Sequence, residues 1–410
     1  LKKVKTQIME HLDVNGKKVL VRVDFNVPLD KQFQVTDDTR IRGALPTIEW
    51  LLDRGAAVIV MSHLGRPWKK LREDGTLDAE KHSLRHVVPV LEHLLERKVH
   101  FVPHDCVGPE AEAAAAALLP GEVLLLENTR FHKGEEKGDE ELALRMSKLA
   151  DIFVNDAFGA AHRAHSSTTI IARHFPKSRK AFGFLMQAEL DNAHKVIDHP
   201  ARPFTAIIGG AKVSDKILLL EKLLDQVDNL LIGGGMAYTF FRARGFNTGN
   251  SLVEEDRLDL ARQIIEKARQ RNINLLLPAD SVVADRFAND ARFHPQSNDR
   301  IASGWMGLDI GPLACGEFAT IIEHSRTILW NGPMGVFEMP NFATGTKVIA
   351  QAVAKATAKG AFSLIGGGDS VAAINQLGLG GDVSYVSTGG GALLELFEGK
   401  ELPGVKAILE

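Results

Sequence analysis

The sequence predicts an α/β protein with two parallel-sheet domains bridged by a helix. Three observations lead there. The chain has 410 residues, more than one hydrophobic core ordinarily organises. Short, nearly continuous apolar runs alternate with amphipathic helical patterns, as strands buried on both faces of a parallel sheet require. The residues that end those runs also change, from charged and polar side chains in the first half to glycines in the second.

In the first half, KVLVRVDFNV (18–27) ends around Asp24 and Asn26, AAVIVMSHLGR (56–66) at His63 and Arg66, EVLLLENTR (122–130) at Asn128 and Arg130, and DIFVNDAFG (151–159) at Asn155 and Asp156. Between them, 42–55 and 83–97 carry the 3.6-residue apolar period of helices, and the alanine-rich tract 111–119 has high helix propensity. The second half has FTAIIGGAK (204–212), NLLIGGGMA (229–237), AFSLIGGGDS (361–370) and VSYVSTGGGA (383–392), each an apolar strand followed by a glycine turn. A helix is expected over 258–271. Another is expected from about 186, ending before Pro200 and Pro203, and it is the natural bridge between the domains.

Bulk properties exclude several classes. Hydrophobic residues make up 45% and charged residues 25%, as in globular proteins, and the net charge of −3 gives no overall basic field for nucleic acid. No apolar run reaches the roughly 18 residues of a membrane span. The stretch LKKVKTQIMEHLDVNGKK (1–18) lacks the apolar segment of a secretory signal, so a cytoplasmic location is expected. Cys106 and Cys315 show no zinc-type spacing and are expected to be reduced and structural.

Ligands of open α/β sheets bind outside the carboxyl ends of the strands. In the first half those ends carry His63, Arg66 and Arg130, with Arg22 and Arg40 close by and Arg163 in AAHRAHSST (160–168). Guanidinium forks match the paired oxygens of phosphate and carboxylate, so a small, multiply anionic ligand is expected. Single arginines are more often surface ion pairs; it is the set on one edge that carries the reading. His162 and His165 stand three apart, but no third metal ligand is evident, and Arg163 favours anions. Asp24 and Asn26 would hold substrate hydroxyls or cap turns. In the second half, glycine turns at helix starts expose backbone N–H groups suited to phosphates. Lys212 and Lys216 fall on the expected first turns of a helix, where the helix dipole disfavours cations unless an anion binds. Asp369 in GGGDS would hold Mg²⁺ against phosphates, cap a helix, or both. The stretch is not a Walker P-loop, and no GxGxxG dinucleotide fingerprint occurs. An exported two-lobed solute-binding protein would need no lysine–magnesium pair.

RVDFNVPL (22–29), SHLGRP (62–67), LLENTRFHKGEE (125–136), NDAFGAAHRAHSS (155–167), GGAKVSDK (209–216), GWMGLDIGP (304–312), LWNGPMGVFE (329–338), GGGDS (366–370) and STGGGALLELFEGKELPGV (387–405) together resemble the phosphoglycerate kinase family, in its order and over nearly the whole chain. Departures are small: Ala160 for a frequent Ser or Thr, Ala302-Ser303 for a Pro with an acidic residue, and Ser370 for a frequent Thr.

The resemblance implies two doubly wound, Rossmann-like lobes facing a cleft and joined by a helical hinge. The N-terminal lobe, 1–187, would bind 3-phosphoglycerate or 1,3-bisphosphoglycerate. A nucleotide lobe, 188–392, would bind Mg-ADP or Mg-ATP, and a tail, 393–410, would return to the first lobe. Asp24, Asn26, His63, Arg66, Arg130, His162 and Arg163 would line the glycerate site, with Arg40 at its reacting end. Lys212 and Lys216 would approach the nucleotide phosphates, Asp369 would hold Mg²⁺, and Glu338 would meet the ribose. Gly210, Ala211, Gly234, Gly235, Gly307, Leu308 and Pro333 would form the adenosine slot, with Asn331, Gly367, Gly368 and Ser370 also at the nucleotide. Arg40 and Lys216 would be catalytic, in-line transfer would follow hinge closure without a covalent enzyme intermediate, and the protein would be a monomer with no nucleic-acid or membrane partner.

Overall fold

The computed structural model describes residues 7–410 apart from Lys70; residues 1–6, part of the N-terminal stretch read above, lie outside the described residues. The chain forms two compact units, one running to Leu190 and including Glu401–Glu410, the other Asp191–Lys400.

The first unit is built on six parallel strands: β1 (Lys18–Arg22), β2 (Ala57–Met61), β3 (Val99–Phe101), β4 (Val123–Leu125), β5 (Ile152–Asn155) and β6 (Lys180–Phe182). Their order is β3-β4-β2-β1-β5-β6. All five residues of β2 are buried, which is why the run lacks polar alternation. One core cluster joins Val19, Val21, Val58, Val60, Val123 and Val154 to Ile41, Ala44, Ile48 and Leu51 of the helix Thr39–Asp53. That helix starts three residues before the expected position because Asp37 accepts a hydrogen bond from Thr39 N at 2.8 Å. The segment expected as a helix over 83–97 is a 3₁₀ turn, Leu84–Val87, followed by a helix, Val88–Leu95. Pro89 stands in the first turn of that helix, where a missing N–H does no harm. The alanine tract is the helix Pro109–Ala117. Arg22 pairs in register with Met61 on one side and Asn155 on the other. The carboxyl ends of three strands are therefore level, and the strand order reverses between β1 and β5.

The second unit has a parallel sheet whose strands begin, in spatial order, at Asn274, Asn229, Phe204, Thr327, Phe362 and Tyr385. In chain order this is 3-2-1-4-5-6, the arrangement of dinucleotide-binding folds, with its reversal between Phe204–Ile208 and Thr327–Asn331. Ile207, Leu231, Trp330 and Ile365 from this sheet pack with Phe318, Ile349 and Val353 from helices. A three-stranded antiparallel sheet of Asp280–Ala284, Phe293–Ser297 and Met306–Ile310 was not expected. Its strand Phe293–Ser297 is largely exposed and contains Pro295, so it shows neither apolar run nor alternation.

Two boundaries differ from expectation. The division between the units falls inside the helix Phe184–Ile197, after Leu190. Residues 393–400 group with the second unit, so the returning tail is 401–410. Its helix Pro403–Leu409 is tied to the first unit by Gly404 N donating to Ala161 O at 2.8 Å. Both cysteines are buried and unpaired. Among the described residues no helix is long and apolar enough to cross a membrane.

Candidate active site

In the first unit the carboxyl ends of β1, β2, β4 and β5 carry the polar residues that end the apolar runs, and partly buried hydrogen bonds fix them there. Asp24 accepts from Arg40 Nη1 at 2.7 Å and from Asn26 N at 3.1 Å. Asn26 in turn accepts from Gly65 N at 2.8 Å, joining the loops after β1 and β2. Arg130 is nearly buried and donates through Nη1 to Gly65 O at 2.9 Å, with Glu136 3.5 Å from Nη2. Its Nε is buried with no hydrogen-bond partner, and such a donor is costly unless a ligand meets it. Arg66 and Arg163 are exposed, His162 is half-buried, and His165 is buried.

The electrostatics show how closely these groups converge. Burial, followed by the positive charges of Arg22, Arg130 and Arg40 and by His165, pushes the His63 imidazole well below its ordinary range. Burial, then Arg130, Arg22, His162 and Arg163, pushes His165 down to about 3. Both imidazoles are neutral at physiological pH, so His63 Nε2, 3.9 Å from Asp24 Oδ1, makes no ion pair. Neither of these rings adds positive charge to the guanidiniums around it.

Arg22 lies deeper than expected. It is wholly buried and belongs to the floor of the site rather than to its surface. Glu135, Ser167 and His165 join it there. Sequence reasoning missed Glu135 and Ser167, which lie inside motifs already noted but carry no pattern that separates a buried carboxylate from a solvated one.

The fold also brings Asp105, Cys106 and His132 within 4.8 Å of one another, a grouping no local spacing announces. Burial, reinforced by Asp105 and Glu135, pushes the Cys106 thiol well up, and His132 already pairs with Asp105 at 2.6 Å.

In the second unit the site is mostly main chain. At the strand-order reversal, Gly209 N donates to Asn331 O at 2.9 Å and Gly210 N to Pro333 O at 3.2 Å. A β-carbon on Gly209 would stand 2.0 Å from Pro333 O, and one on Gly332, whose φ is +100°, would stand 2.2 Å from Gly209 O. Glycine is required at both positions for two loops to touch backbone to backbone. Gly234 N reaches Met334 O at 3.0 Å and brings the next glycine turn to the same edge.

The lysines do not sit as expected. The helix begins only at Ile217, so Lys216 is its N-cap residue and Lys212 lies in the preceding loop, exposed. Lys216 Nζ donates to Asn331 Oδ1, and Asn331 Nδ2 donates to Gly366 O at 2.8 Å, so the lysine is aimed from a braced amide. Burial lowers its pKa against the opposing pull of Asp215, Asp369 and Glu398. Gly367 and Gly368 lead into the helix Gly368–Gln376, with Asp369 exposed in its first turn. Ser370 is buried and accepts a hydrogen bond from Gly332 N. Leu308 is in a small apolar cluster with Ala284, Ala291 and Phe342, and Val336 and Met339 pack on it. Gly307 lies against the Tyr238 ring, Pro333 is buried, Gly235 is half-buried, and Ala211 and Glu338 are exposed.

A sequence profile of the family described as phosphoglycerate kinase matches residues 9–400. The phosphoglycerate kinase of Moorella thermoacetica is 55% identical over 402 residues, which are 98% of each chain. The cytosolic phosphoglycerate kinase of Nicotiana tabacum is 51% identical over 400 residues, 98% of this chain and 97% of its own. The solved phosphoglycerate kinase of Coxiella burnetii matches with a TM-score of 0.85 at 41% identity, over 98% of both chains. That of Pyrococcus horikoshii matches with a TM-score of 0.82 at 31% identity, again over 98% of both.

Proposed function

The chain belongs to the phosphoglycerate kinase family, and from that premise we propose which of its residues carry the reaction. The activity is reversible phosphoryl transfer between 1,3-bisphosphoglycerate and ADP, giving 3-phosphoglycerate and ATP. The first unit takes the glycerate. Arg66, Arg130 and Arg163 hold its remote phosphate, His63 and His162 flank it, Asp24 and Asn26 meet its hydroxyl, and Arg40 reaches its reacting end. The unpartnered Arg130 Nε supports a ligand at this place.

In the second unit, Gly210, Ala211, Gly234, Gly235, Gly307, Leu308 and Pro333 line the adenosine slot, with Glu338 at the ribose. Lys212, Gly367, Gly368 and Ser370 lie along the phosphates. The observation that carries this half is Lys216 held on Asn331 at the strand-order reversal, where a lobe of this topology binds its ligand. Asp369 is exposed and, among the described residues, forms no ion pair within 4 Å. It therefore has the single hard oxygen donor that Mg²⁺ takes when phosphates and waters supply the rest. When bound with the nucleotide, Mg²⁺ neutralises phosphate charge.

Phosphoryl transfer needs positioning and cancellation of charge on the equatorial oxygens more than it needs covalent help. Lys216 and Arg40 supply that positive charge. Both are held in reserve by acceptors, Asn331 and Asp24, which the transferring group replaces. No side chain forms a covalent intermediate, because the acyl phosphate is already reactive. Hinge closure keeps water from that acyl phosphate. We place the enzyme in the cytoplasm as a monomer; the tobacco relative's cytosolic name supports the first, and light scattering tests the second.

The test is ATP- and Mg²⁺-dependent phosphorylation of 3-phosphoglycerate, coupled to NADH oxidation through glyceraldehyde-3-phosphate dehydrogenase, for wild type, Lys216→Ala and Arg40→Ala. Wild type turns over, and each variant loses roughly a hundredfold to a thousandfold in kcat, as for one preorganised donor. ATP affinity in Arg40→Ala stays within a few-fold. Normal turnover in either variant removes that residue from the chemistry.

A further inference from the structure

Beneath the glycerate site runs a chain of hydrogen bonds whose direction is fixed at both ends. Glu135 is fully buried and accepts from Ser167 N at 3.1 Å and from Ser167 Oγ. Ser167 Oγ gives its own proton to Glu135, which leaves its oxygen lone pairs to accept from elsewhere. Arg22 Nε donates to that oxygen at 2.8 Å, Nη1 donates to Val23 O, and Nη2 lies 3.0 Å from His63 Nδ1. A guanidinium has donors and no acceptor. His63 Nδ1 must therefore be the unprotonated nitrogen, and the proton of the neutral ring is on Nε2.

We propose that Arg22 is a positioning residue for the reaction: through His63 Nδ1 it locks His63 in the Nε2–H tautomer, so that His63 meets the glycerate ligand as a neutral, directed hydrogen-bond donor. This rests on the reading that His63 lines the glycerate site. The surrounding arginines supply the charge that attracts the anion. A donor whose proton is fixed on the Nε2 side of the ring, which approaches Asp24, adds direction instead. Glu135 and Ser167 set the orientation of Arg22, so a residue outside the ligand's reach, Glu135, determines which nitrogen of His63 carries hydrogen.

Two measurements test the proposal separately from the site reading. The first is ¹⁵N imidazole NMR of the ligand-free wild type, with the His63 signals identified by their loss in His63→Gln. The expected pattern is a protonated Nε2 and a bare Nδ1 at neutral pH; a protonated Nδ1, or an imidazolium, overturns the proposal. In Arg22→Met the ring should become a mixture of tautomers, and in Arg22→Lys the wild-type form should partly return. A wild-type tautomer in folded Arg22→Met would show that Arg22 is not the cause. Should Arg22→Met fail to fold because Glu135 loses its cation, the wild-type and Arg22→Lys spectra decide.

The second measurement uses the fact that the glutamine amide nitrogen overlays imidazole Nε2 and the asparagine amide nitrogen overlays Nδ1. His63→Gln should keep KM for 3-phosphoglycerate within a few-fold. His63→Asn should raise it roughly tenfold to a hundredfold, the range for a lost hydrogen bond to a charged group, with KM for ATP unchanged. Equal losses in the two variants overturn the Nε2 donor. The expected tautomer with no KM change in either variant would instead remove His63 from the glycerate site and leave its tie to Arg22 standing.

Discussion

In the function proposed above, the two units solve the same problem, holding an anion at the carboxyl edge of a parallel sheet, with different materials. The first uses long cationic side chains rooted in a buried floor: Arg22, His63 and Glu135 are all out of solvent, and Arg66 and Arg163 rise from it. The second uses main chain: Gly209 and Gly332 touch where no β-carbon fits, and a single braced lysine adds the charge. A site of side chains is tuned by charge and screened by salt. A site of backbone is tuned by shape, and a single methyl group disturbs it. The first should therefore degrade gradually under substitution and the second abruptly.

Gly332→Ala is the strongest test of that contrast. Its β-carbon has no room and its φ of +100° disfavours any side chain. Nucleotide Kd should rise at least a hundredfold, about 3 kcal/mol, while titration calorimetry finds 3-phosphoglycerate binding within twofold of wild type. Ordinary ADP binding by the variant would break the comparison.

Asp156 probes the buried charge of the first unit. It is fully buried, and desolvation raises its pKa to about 6 although Met186 N donates to it at 3.0 Å. Between about pH 4 and pH 6 the folded protein holds this proton while the unfolded chain has released it. Stability is therefore present at the acid end and lost as pH rises through 6. Urea unfolding should show wild type losing about 2–3 kcal/mol between pH 4 and pH 7 that Asp156→Asn does not lose. Parallel pH profiles would mean that the carboxyl is ionised in the fold.

A smaller effect is expected at Arg66, exposed at the rim of the first site. Arg66→Gln should weaken 3-phosphoglycerate binding about tenfold, and the gap should narrow in high salt as screening replaces the lost charge. A salt-independent gap would mean that Arg66 acts through shape and would blur the distinction between the units. Smallest is Asp139, which accepts from Leu142 N at 3.0 Å at the start of the helix Glu140–Ser147. Asp139→Ala should cost about 1 kcal/mol of stability and leave both KM values unchanged.

The same contrast governs what could be read in advance. Strand ends were legible because an apolar run gives way to Asp24, His63 or Arg130, and glycine turns because few other residues allow that backbone. Pairing order was not, since periodicity reports that a strand is buried and not which strand lies beside it. The antiparallel strands were hidden by exposure and by Pro295. Lys212 and Lys216 were expected on the first turns of a helix that begins only at Ile217, because an apolar run after a glycine pair does not reveal where helical hydrogen bonds begin. Arg22 was visible as an arginine, but its burial depends on Glu135 and Ser167, far along the chain. The individual roles proposed in the nucleotide slot, such as those of Gly307, Leu308 and Glu338, rest on family resemblance and have no signal of their own in the sequence.

The returning helix Pro403–Leu409 also bears on synthesis. Gly404 donates to Ala161, and the amide of Asn155 lies 3.5 Å from Gly404 O. The unit whose sheet is translated first thus receives its closing piece only after all of 191–400 has been made. On the ribosome the second unit has all its residues before the first does, so the N-terminal half is the one that waits, incomplete, until 401–410 has been made.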